Sequence, residues 1–365
     1  MLCIRCHREY GEGLTQCPDD GGPLSSEPAI ELLAERCKFR ESDEIGKIYG
    51  ERYVVRGFVG QGGMARVYLA QDTKTGVPVA LKVLDRQLGL APDAHERFFR
   101  EATAASKIAH PSIVRIFDAG RHPDGSAFLV LEFLFGESLG ELLRRRSVLA
   151  PKHALAVFDH AAAGLEAAHR AGIIHRDVKP DNIFLVGAIG APHAVRVLDF
   201  GLAKIVAGTP LTALGVAVGT VEYMAPEQVL TEPPDARTDV YGLGVVMYRT
   251  FTGSLPFDSK DDALLLGHHL ITPAPPPESR APDLDRRICA VIARALRKHP
   301  LNRYASMDAL REDIEKIVTT APPKTPKRAR LVRDPDVYEP TATFGRSAAR
   351  FFYKKLGIKP PDWRD

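Results

Sequence analysis

The sequence predicts an α+β protein: a strand-rich part, then a mainly helical part, with a small cysteine-bearing module in front. Three observations lead there. Residues 53–69 and 77–84 are rich in Val, Tyr and Phe, the composition of strands. Beyond residue 139 the pattern turns helical, as in the alanine-rich stretch 151–171. Three of the five cysteines fall within the first seventeen residues, ahead of both parts. At 365 residues the chain can bury a large core. Its 45% hydrophobic and 26% charged content is ordinary for a soluble globular protein. A net charge of +3 does not suggest a nucleic-acid partner. No apolar run reaches about 18 residues, so no membrane span is expected. The N-terminus lacks the apolar core of a signal peptide. Cysteines so distributed, with Cys37 and Cys289 standing alone, do not make a disulfide framework and fit a reducing, cytoplasmic setting.

In residues 1–24, Cys3-x-x-Cys6 is followed by Cys17-Pro18-Asp19-Asp20-Gly21-Gly22. A Cys-x-x-Cys turn aims two thiolates at one point, and a second turn completes a tetrahedron around Zn²⁺. The segment resembles a small zinc ribbon with one departure: Asp20 stands where a fourth cysteine is usual, and His7 competes for that place. A leader with incidental cysteines is the alternative. Residues 25–47 read as a charged linker, with helical periodicity over 29–39 through Ile30, Leu33 and Cys37.

Among the strands lies Gly60-Gln61-Gly62-Gly63-Met64-Ala65-Arg66-Val67. Glycines there let a backbone approach phosphates and present N–H donors. Taken alone, the run fits a plain hairpin turn equally well. Lys82 follows within Val79-Ala80-Leu81-Lys82, flanked by apolar residues, which argues against a merely solvated lysine. Residues 93–109 read as a helix bearing Glu101, stopped by Pro111. Residues 128–135 read as a buried strand that runs into Glu132, Phe133 and Leu134.

The stretch 174–201 holds two polar clusters between apolar runs, His175-Arg176-Asp177 and Asp199-Phe200-Gly201. Phosphoryl transfer needs a carboxylate to orient a hydroxyl, a cation on the phosphates, and oxygen ligands for Mg²⁺. Asp177, Lys179, Asn182 and Asp199 can meet those needs in turn.

His175-Arg176-Asp177-Val178-Lys179-Pro180-Asp181-Asn182 followed by Asp199-Phe200-Gly201 resembles the catalytic and metal-binding loops of the protein kinase family. The glycine run then resembles the family's Gly-rich loop, with Ala65 in place of the third glycine and a slightly stiffer loop expected. The resemblance, closest in kind to bacterial Ser/Thr protein kinases, covers residues 48–317. It implies a two-lobed fold, an antiparallel sheet with one helix and then a helical lobe, with ATP and Mg²⁺ between them. It implies that Asp177 accepts the hydroxyl proton and Lys179 stabilises the moving phosphoryl group. Lys82, paired with Glu101, holds the α- and β-phosphates, and Asn182 and Asp199 hold Mg²⁺. Gly60, Gln61, Gly62, Gly63, Val67 and Ala80 line the nucleotide. Leu131 guards the back of the adenine pocket, and Glu132 and Leu134 present hinge backbone groups.

By the same resemblance, residues 202–224 are an activation segment ending at Gly219-Thr220 and Ala225-Pro226-Glu227. Arg176 is its phosphate anchor, helped by Lys204, and Thr212, then Thr209, are the autophosphorylated candidates. Lys179 and Thr220 favour Ser/Thr over Tyr substrates. Asp239 holds the catalytic-loop backbone, helix N-cap being its other reading, and Arg303 is the buried partner of Glu227. Residues 318–365 begin Pro- and Lys/Arg-rich and read as linker and solvated tail, a short basic helix over residues 345–355 carrying Phe351 and Phe352 being the alternative there. The partners implied are protein substrates, with a docking partner for ribbon or tail as a further reading. Two other classes stand beside this one: a nucleotide-binding scaffold without turnover, though every catalytic position is filled, and an adaptor acting through the zinc module.

Overall fold

Alternation of apolar and polar residues folds the first part of the chain into a six-stranded antiparallel sheet. The computed structural model describes residues 2–3, 16, 18, 24–25, 42–62, 65–84, 92–186, 195–200 and 221–320. The chain divides into two compact units: residues 1–137, 185–196 and 202–208 form the first, and residues 138–184, 197–201 and 209–365 the second.

In the first unit the sheet contains β3 (Ile48–Tyr49), β4 (Tyr53–Gln61), β5 (Ala65–Asp72), β6 (Pro78–Leu84), β7 (Ile116–Arg121) and β8 (Ala127–Glu132), in the order β3-β4-β5-β6-β8-β7. The single strand expected over residues 53–69 is two antiparallel strands, the first ending at Gln61 and the second starting at Ala65. Gly62 N–H donates to Ala65 O at 2.9 Å. One face of the sheet buries Val55, Tyr68, Leu81, Val83, Phe128 and Val130. The other buries Ala65, Leu84, Ala127 and Leu129 against Phe98 and Ala102 of helix α1 (Pro92–Ser106). Each of the buried valines, leucines and phenylalanines contributes about 1.5–3 kcal/mol by leaving water, and the alanines less. The residues just before Ile48 also join the sheet. Gly46 N–H donates to Val55 O, Val55 N–H to Lys47 O, and the Tyr49 hydroxyl to Glu44 Oε2 at 2.8 Å. The strand expected over 128–135 ends at Glu132, and the helix expected over 93–109 ends at Ser106.

A further pair of strands, β1 (Leu2–Cys3) and β2 (Leu24–Ser25), is antiparallel with Cys3 opposite Leu24. Cys6, Cys17, Asp20 and His7 lie outside the described residues, as do residues 29–39 and 321–365.

The second unit is helical. Helix α2 (Leu139–Arg146) starts with a capping box: Ser138 Oγ accepts from Glu141 N–H, and Glu141 Oε2 accepts from Ser138 N–H. Helix α3 (Pro151–Arg170) buries a seam of small residues, Ala154, Ala161, Ala162 and Ala168, with Leu155, Phe158 and Leu165. Helix α4 (Pro226–Val229) is a single turn. Helix α5 (Ala236–Thr252), capped by Asp235, is buried almost all round, from Val240 to Phe251, and forms the unit's axis. Gly253 closes it in the left-handed conformation, φ +78°. Helices α6 (Asp262–Ile271), α7 (Arg286–Ala295) and α8 (Met307–Thr319) complete the unit. Among the described residues no helix is long and apolar enough to cross a membrane.

Candidate active site

Sheet register sets the places of the candidate residues in the first unit. Lys82 lies opposite Val67 on one side and Leu129 on the other, and Gly60 lies opposite Val67. Two residues along, Ala80 lies opposite Leu131. Side chains alternate faces along a strand, so Lys82, Ala80 and Leu84 share the face against which α1 packs. Val67, Ala80, Lys82, Leu131 and Leu134 are all half-buried. Glu101 lies on α1 next to buried Ala102, and only its backbone is described. At Gly60 an added Cβ would meet nothing within 4 Å, and its φ is not left-handed. Neither a close contact nor a left-handed backbone demands a glycine there. Ala65, where a third glycine was expected, starts β5 with its methyl buried beside Leu84 and Phe98. That packing, more than loop stiffness, explains an alanine. Glu132 Oε2 stands 3.6 Å from Arg196 Nε. Gly63 lies outside the described residues.

In the second unit the candidate residues gather around one loop and one helix end. The loop after α3 carries Asp177 and Lys179, and a single turn, Pro180–Asn182, leads into β9 (Ile183–Val186). Lys179 Nζ donates to Asp177 Oδ2 at 2.8 Å. Asn182 Nδ2 donates to Asp177 O at 2.8 Å and to Oδ2 at 3.2 Å. The strand β10 (Val195–Val197) then delivers Leu198 and Asp199, and Leu198 N–H donates to Asn182 O at 2.9 Å, tying the turn of Asn182 to the residue before Asp199. His175 fixes the geometry from below. Its Nδ1 accepts from Asp177 N–H at 3.2 Å, so the ring proton sits on Nε2, which donates to Leu198 O at 2.7 Å. The ring also packs on Phe200 with centroids 5.0 Å apart.

Two residues of this group hold left-handed backbones, Arg176 at φ +63° and Asp199 at φ +54°. Such strain costs on the order of 1–3 kcal/mol per residue and persists only where the surroundings over-determine it. At Arg176 they do. Its N–H donates to Asp239 Oδ1 and that of His175 to Asp239 Oδ2, both at 2.8 Å, while Gln228 Nε2 donates to Arg176 O at 2.8 Å. Asp239 is thus the backbone holder expected, and the cap of α5 is Asp235. Close approach also matters: a Cβ at Gly242 of α5 would stand 3.1 Å from Val178 Cβ, and one at Gly140 of α2 2.5 Å from Asp181 Oδ1. Sequence reasoning missed Gln228, Gly140 and His169, whose Nε2 lies 2.7 Å from Asp239 Oδ2. Residues 201–220, with Gly201, Lys204, Thr209, Thr212, Gly219 and Thr220, lie outside the described residues. Among the described residues no cluster of His, Cys, Asp and Glu could hold a metal ion on its own.

Comparison with known proteins agrees with this geometry. Residues 53–314 match the family described as protein kinase domain. The chain is 44% identical over 258 residues to the serine/threonine-protein kinase Pkn1 of Myxococcus xanthus, covering 70% of this chain and 37% of that protein. It is 37% identical over 284 residues to pkn3 of the same organism, covering 76% of this chain and 52% of that protein. It is also 37% identical over 282 residues to PknB of Mycobacterium tuberculosis, covering 76% of this chain and 44% of that protein. The matched region thus spans about half or less of each curated relative. Among solved structures, the PknI kinase domain of Mycobacterium tuberculosis aligns with a TM-score of 0.61 at 26% identity, covering 76% of this chain and 99% of that one.

Proposed function

We propose that this chain, which belongs to the protein kinase family, transfers the γ-phosphoryl group of ATP to serine and threonine hydroxyls of proteins. The observation that carries the reading is the Asp177 cluster. One carboxylate oxygen is engaged by a lysine and an asparagine two and five residues on, and the backbone beneath is locked by His175 and Asp239. Asp177 orients the acceptor hydroxyl and takes its proton. Lys179 stabilises charge on the moving phosphoryl group. Asn182 and Asp199 present hard oxygen donors and would hold Mg²⁺, whose chemistry there is to neutralise phosphate oxygens. From the first unit, Lys82 with Glu101 holds the α- and β-phosphates. Gly60, Gln61, Gly62 and Gly63 offer backbone donors to them, and Val67, Ala80, Leu131, Glu132 and Leu134 enclose the base. Lys179 and Thr220 favour Ser/Thr acceptors. In this reading residues 48–317 are the kinase domain, residues 25–47 a linker and residues 318–365 a tail, all at work in the cytoplasm.

We further propose that residues 1–24 bind Zn²⁺ through Cys3, Cys6, Cys17 and Asp20. Support comes from the β1–β2 pairing, which brings Cys3 opposite Leu24.

The test is phosphotransfer by the purified full chain from γ-labelled ATP with Mg²⁺ to dephosphorylated casein. Asp177→Asn keeps the side chain's shape and removes the base, so turnover should fall by roughly 10²–10⁴-fold while ATP still binds. Asp199→Ala should instead lose Mg²⁺-dependent nucleotide binding. Near wild-type transfer by Asp177→Asn would overturn the assignment.

A further inference from the structure

One buried cation of the second unit has no place in the phosphotransfer reading. Lys298, in the loop after α7, is 1% exposed. Its ammonium lies at the C-terminal end of α6, where Nζ donates to His269 O at 2.8 Å and to His268 O at 3.0 Å. A helix leaves its last carbonyls without partners, and its dipole favours a cation there. His268 O still receives the Thr272 N–H. The N–H that would serve His269 O, four residues on, belongs to position 273, which is a proline and has none. Lys298 supplies the missing donor. Its third bond runs to Tyr241 Oη at 3.4 Å, and Tyr241 Oη lies 3.0 Å from His269 Nδ1. Three acceptors match the three donors of an ammonium. Burial, and then the charge on Lys298, hold the His269 imidazole well below its ordinary range, so the charge sits on the lysine and not on the ring.

The same ammonium stands over the Phe257 ring, 4.4 Å from its centroid. Phe257 stacks on His268, meets His269 edge to face, and joins a core with Leu265 and Leu270 of α6 and with Val221, Met224, Val229 and Leu230. Those last four lie just before, within and just after α4. Gln228 of α4 donates to Arg176 O at 2.8 Å, directly before Asp177. A polypeptide whose hydroxyl reaches Asp177 therefore runs beside this wall.

We infer that Lys298 is a positioning residue for the protein acceptor: it caps α6 in place of the N–H that Pro273 lacks, and so holds the wall of residues 221–230 along which the acceptor chain lies. The inference deepens the kinase reading and rests on Asp177 as the group that orients the acceptor hydroxyl. None of the residues assigned to the nucleotide belongs to this wall. Loss of the cap should weaken acceptor use and leave nucleotide use alone.

The experiment compares the full chain with Lys298→Met, which keeps the apolar stem of the side chain and removes the ammonium. Four readouts are taken: kcat/KM for dephosphorylated casein, ATP KM, hydrolysis of ATP by water without a protein acceptor, and amide hydrogen exchange at Thr272 and residues 221–224. Lys298→Met should lower kcat/KM for casein by about tenfold or more. ATP KM and acceptor-free hydrolysis should stay within about twofold of wild type. The amides of Thr272 and residues 221–224 should exchange faster. If the methionine variant does not fold, Lys298→Gln, neutral but polar, replaces it with the same expectations. Casein kcat/KM within about twofold of wild type would overturn the inference, and so would an equal fall in acceptor-free hydrolysis. A wild-type chain that neither transfers phosphate nor hydrolyses ATP would count against the kinase reading instead, and amide exchange in the variant would then decide whether Lys298 holds the wall.

Discussion

Arg303 and Glu227 form a bidentate pair in the interior of the second unit, Nη1 to Oε1 at 2.8 Å and Nη2 to Oε2 at 2.9 Å, with side chains 0% and 4% exposed. The guanidinium has five N–H donors, and each has an acceptor. Beyond the two on Glu227, Nε donates to Arg297 O, Nη1 to Arg237 O and Nη2 to Lys298 O. Glu227 Oε1 also accepts the Thr238 hydroxyl. Two buried charges therefore tie three pieces of chain together: α4, the start of α5 and the loop after α7.

A pair so placed is destabilising to break and less so to replace whole. Arg303→Met should cost about 3–5 kcal/mol, because a buried carboxylate and three carbonyls lose their donors together. Arg303→Met with Glu227→Leu should cost less than the sum of the two single changes. Urea unfolding of the two single variants and the double variant checks this. Additive costs would show that the pair is not coupled.

A second ion pair gives a pH prediction. Arg52 holds Asp72 bidentately, Nε to Oδ1 and Nη2 to Oδ2, both at 2.7 Å. The Arg52 hydrogen bonds, followed by those from Thr75 and Lys74, hold the Asp72 carboxyl well below the usual carboxylate range. A carboxyl with a depressed pKa in the folded state stabilises the fold fully above its unfolded value of about 3.9 and loses that contribution as pH falls toward the folded value. The melting temperature of wild type should therefore exceed that of Asp72→Asn at pH 7, and the gap should narrow as pH drops below about 4. A gap independent of pH would show that Asp72 acts only as a turn former.

The Glu227–Arg303 pair and the hold of Asp239 on the loop backbone were legible through the resemblance to a known family, and the grouping of Asp177 with Lys179 and Asn182 through the residue types of one short run. The strand and helix classes were readable from composition and periodicity. The residues missed share a different property. His169 meets Asp239 from 70 positions away, Gln228 meets Arg176 from 52, and Arg52 meets Asp72 from 20. No local pattern marks a histidine at the end of an alanine-rich helix as a carboxylate holder, since its partner is chosen by how α3 packs on α5. Gly140 was unreadable for the same reason: only tertiary contact with Asp181 forbids a Cβ there. Residues 53–69 were read as one strand from their Val, Tyr and Phe content, although the glycine run within them also fitted a hairpin turn, and composition alone does not show where a strand breaks.

The zinc reading predicts a division among the cysteines. Purified chain should carry about one zinc, and chelation should expose Cys3, Cys6 and Cys17 to a thiol reagent. Cys289 should stay silent until the protein unfolds, since burial pushes its thiol up to about 12 and the thiolate is the reactive form. Elemental analysis together with thiol titration before and after chelation tests both parts. Freshly purified, unchelated protein without zinc would sink the metal site. Asp20→Ala compared with His7→Ala then decides the fourth ligand.

The last prediction concerns switching and starts from Arg176. Its backbone is pinned by Asp239 and Gln228 directly before Asp177, so its guanidinium is carried by a rigid turn beside the chemistry. The segment that follows Gly201 is rich in Gly and Ala and has few large apolar groups between Ile205 and Val218, so burial alone offers little to order it. A phosphate on one of its threonines adds roughly −1.5 to −2 charge and three acceptor oxygens, which an arginine fork can bind bidentately, with Lys204 as a second cation. Thr212 lies seven residues before Gly219, the place where the resemblance to bacterial kinases puts an autophosphorylated threonine, and Thr209 is the alternative. Incubation with ATP and Mg²⁺ should phosphorylate Thr212 first and Thr209 second, as read by mass spectrometry, and activity should rise with occupancy. The Thr209→Ala, Thr212→Ala double variant should stay at the unphosphorylated rate. Full activity in that variant would mean that something other than phosphate orders the segment, and Arg176 would then serve the catalytic turn alone.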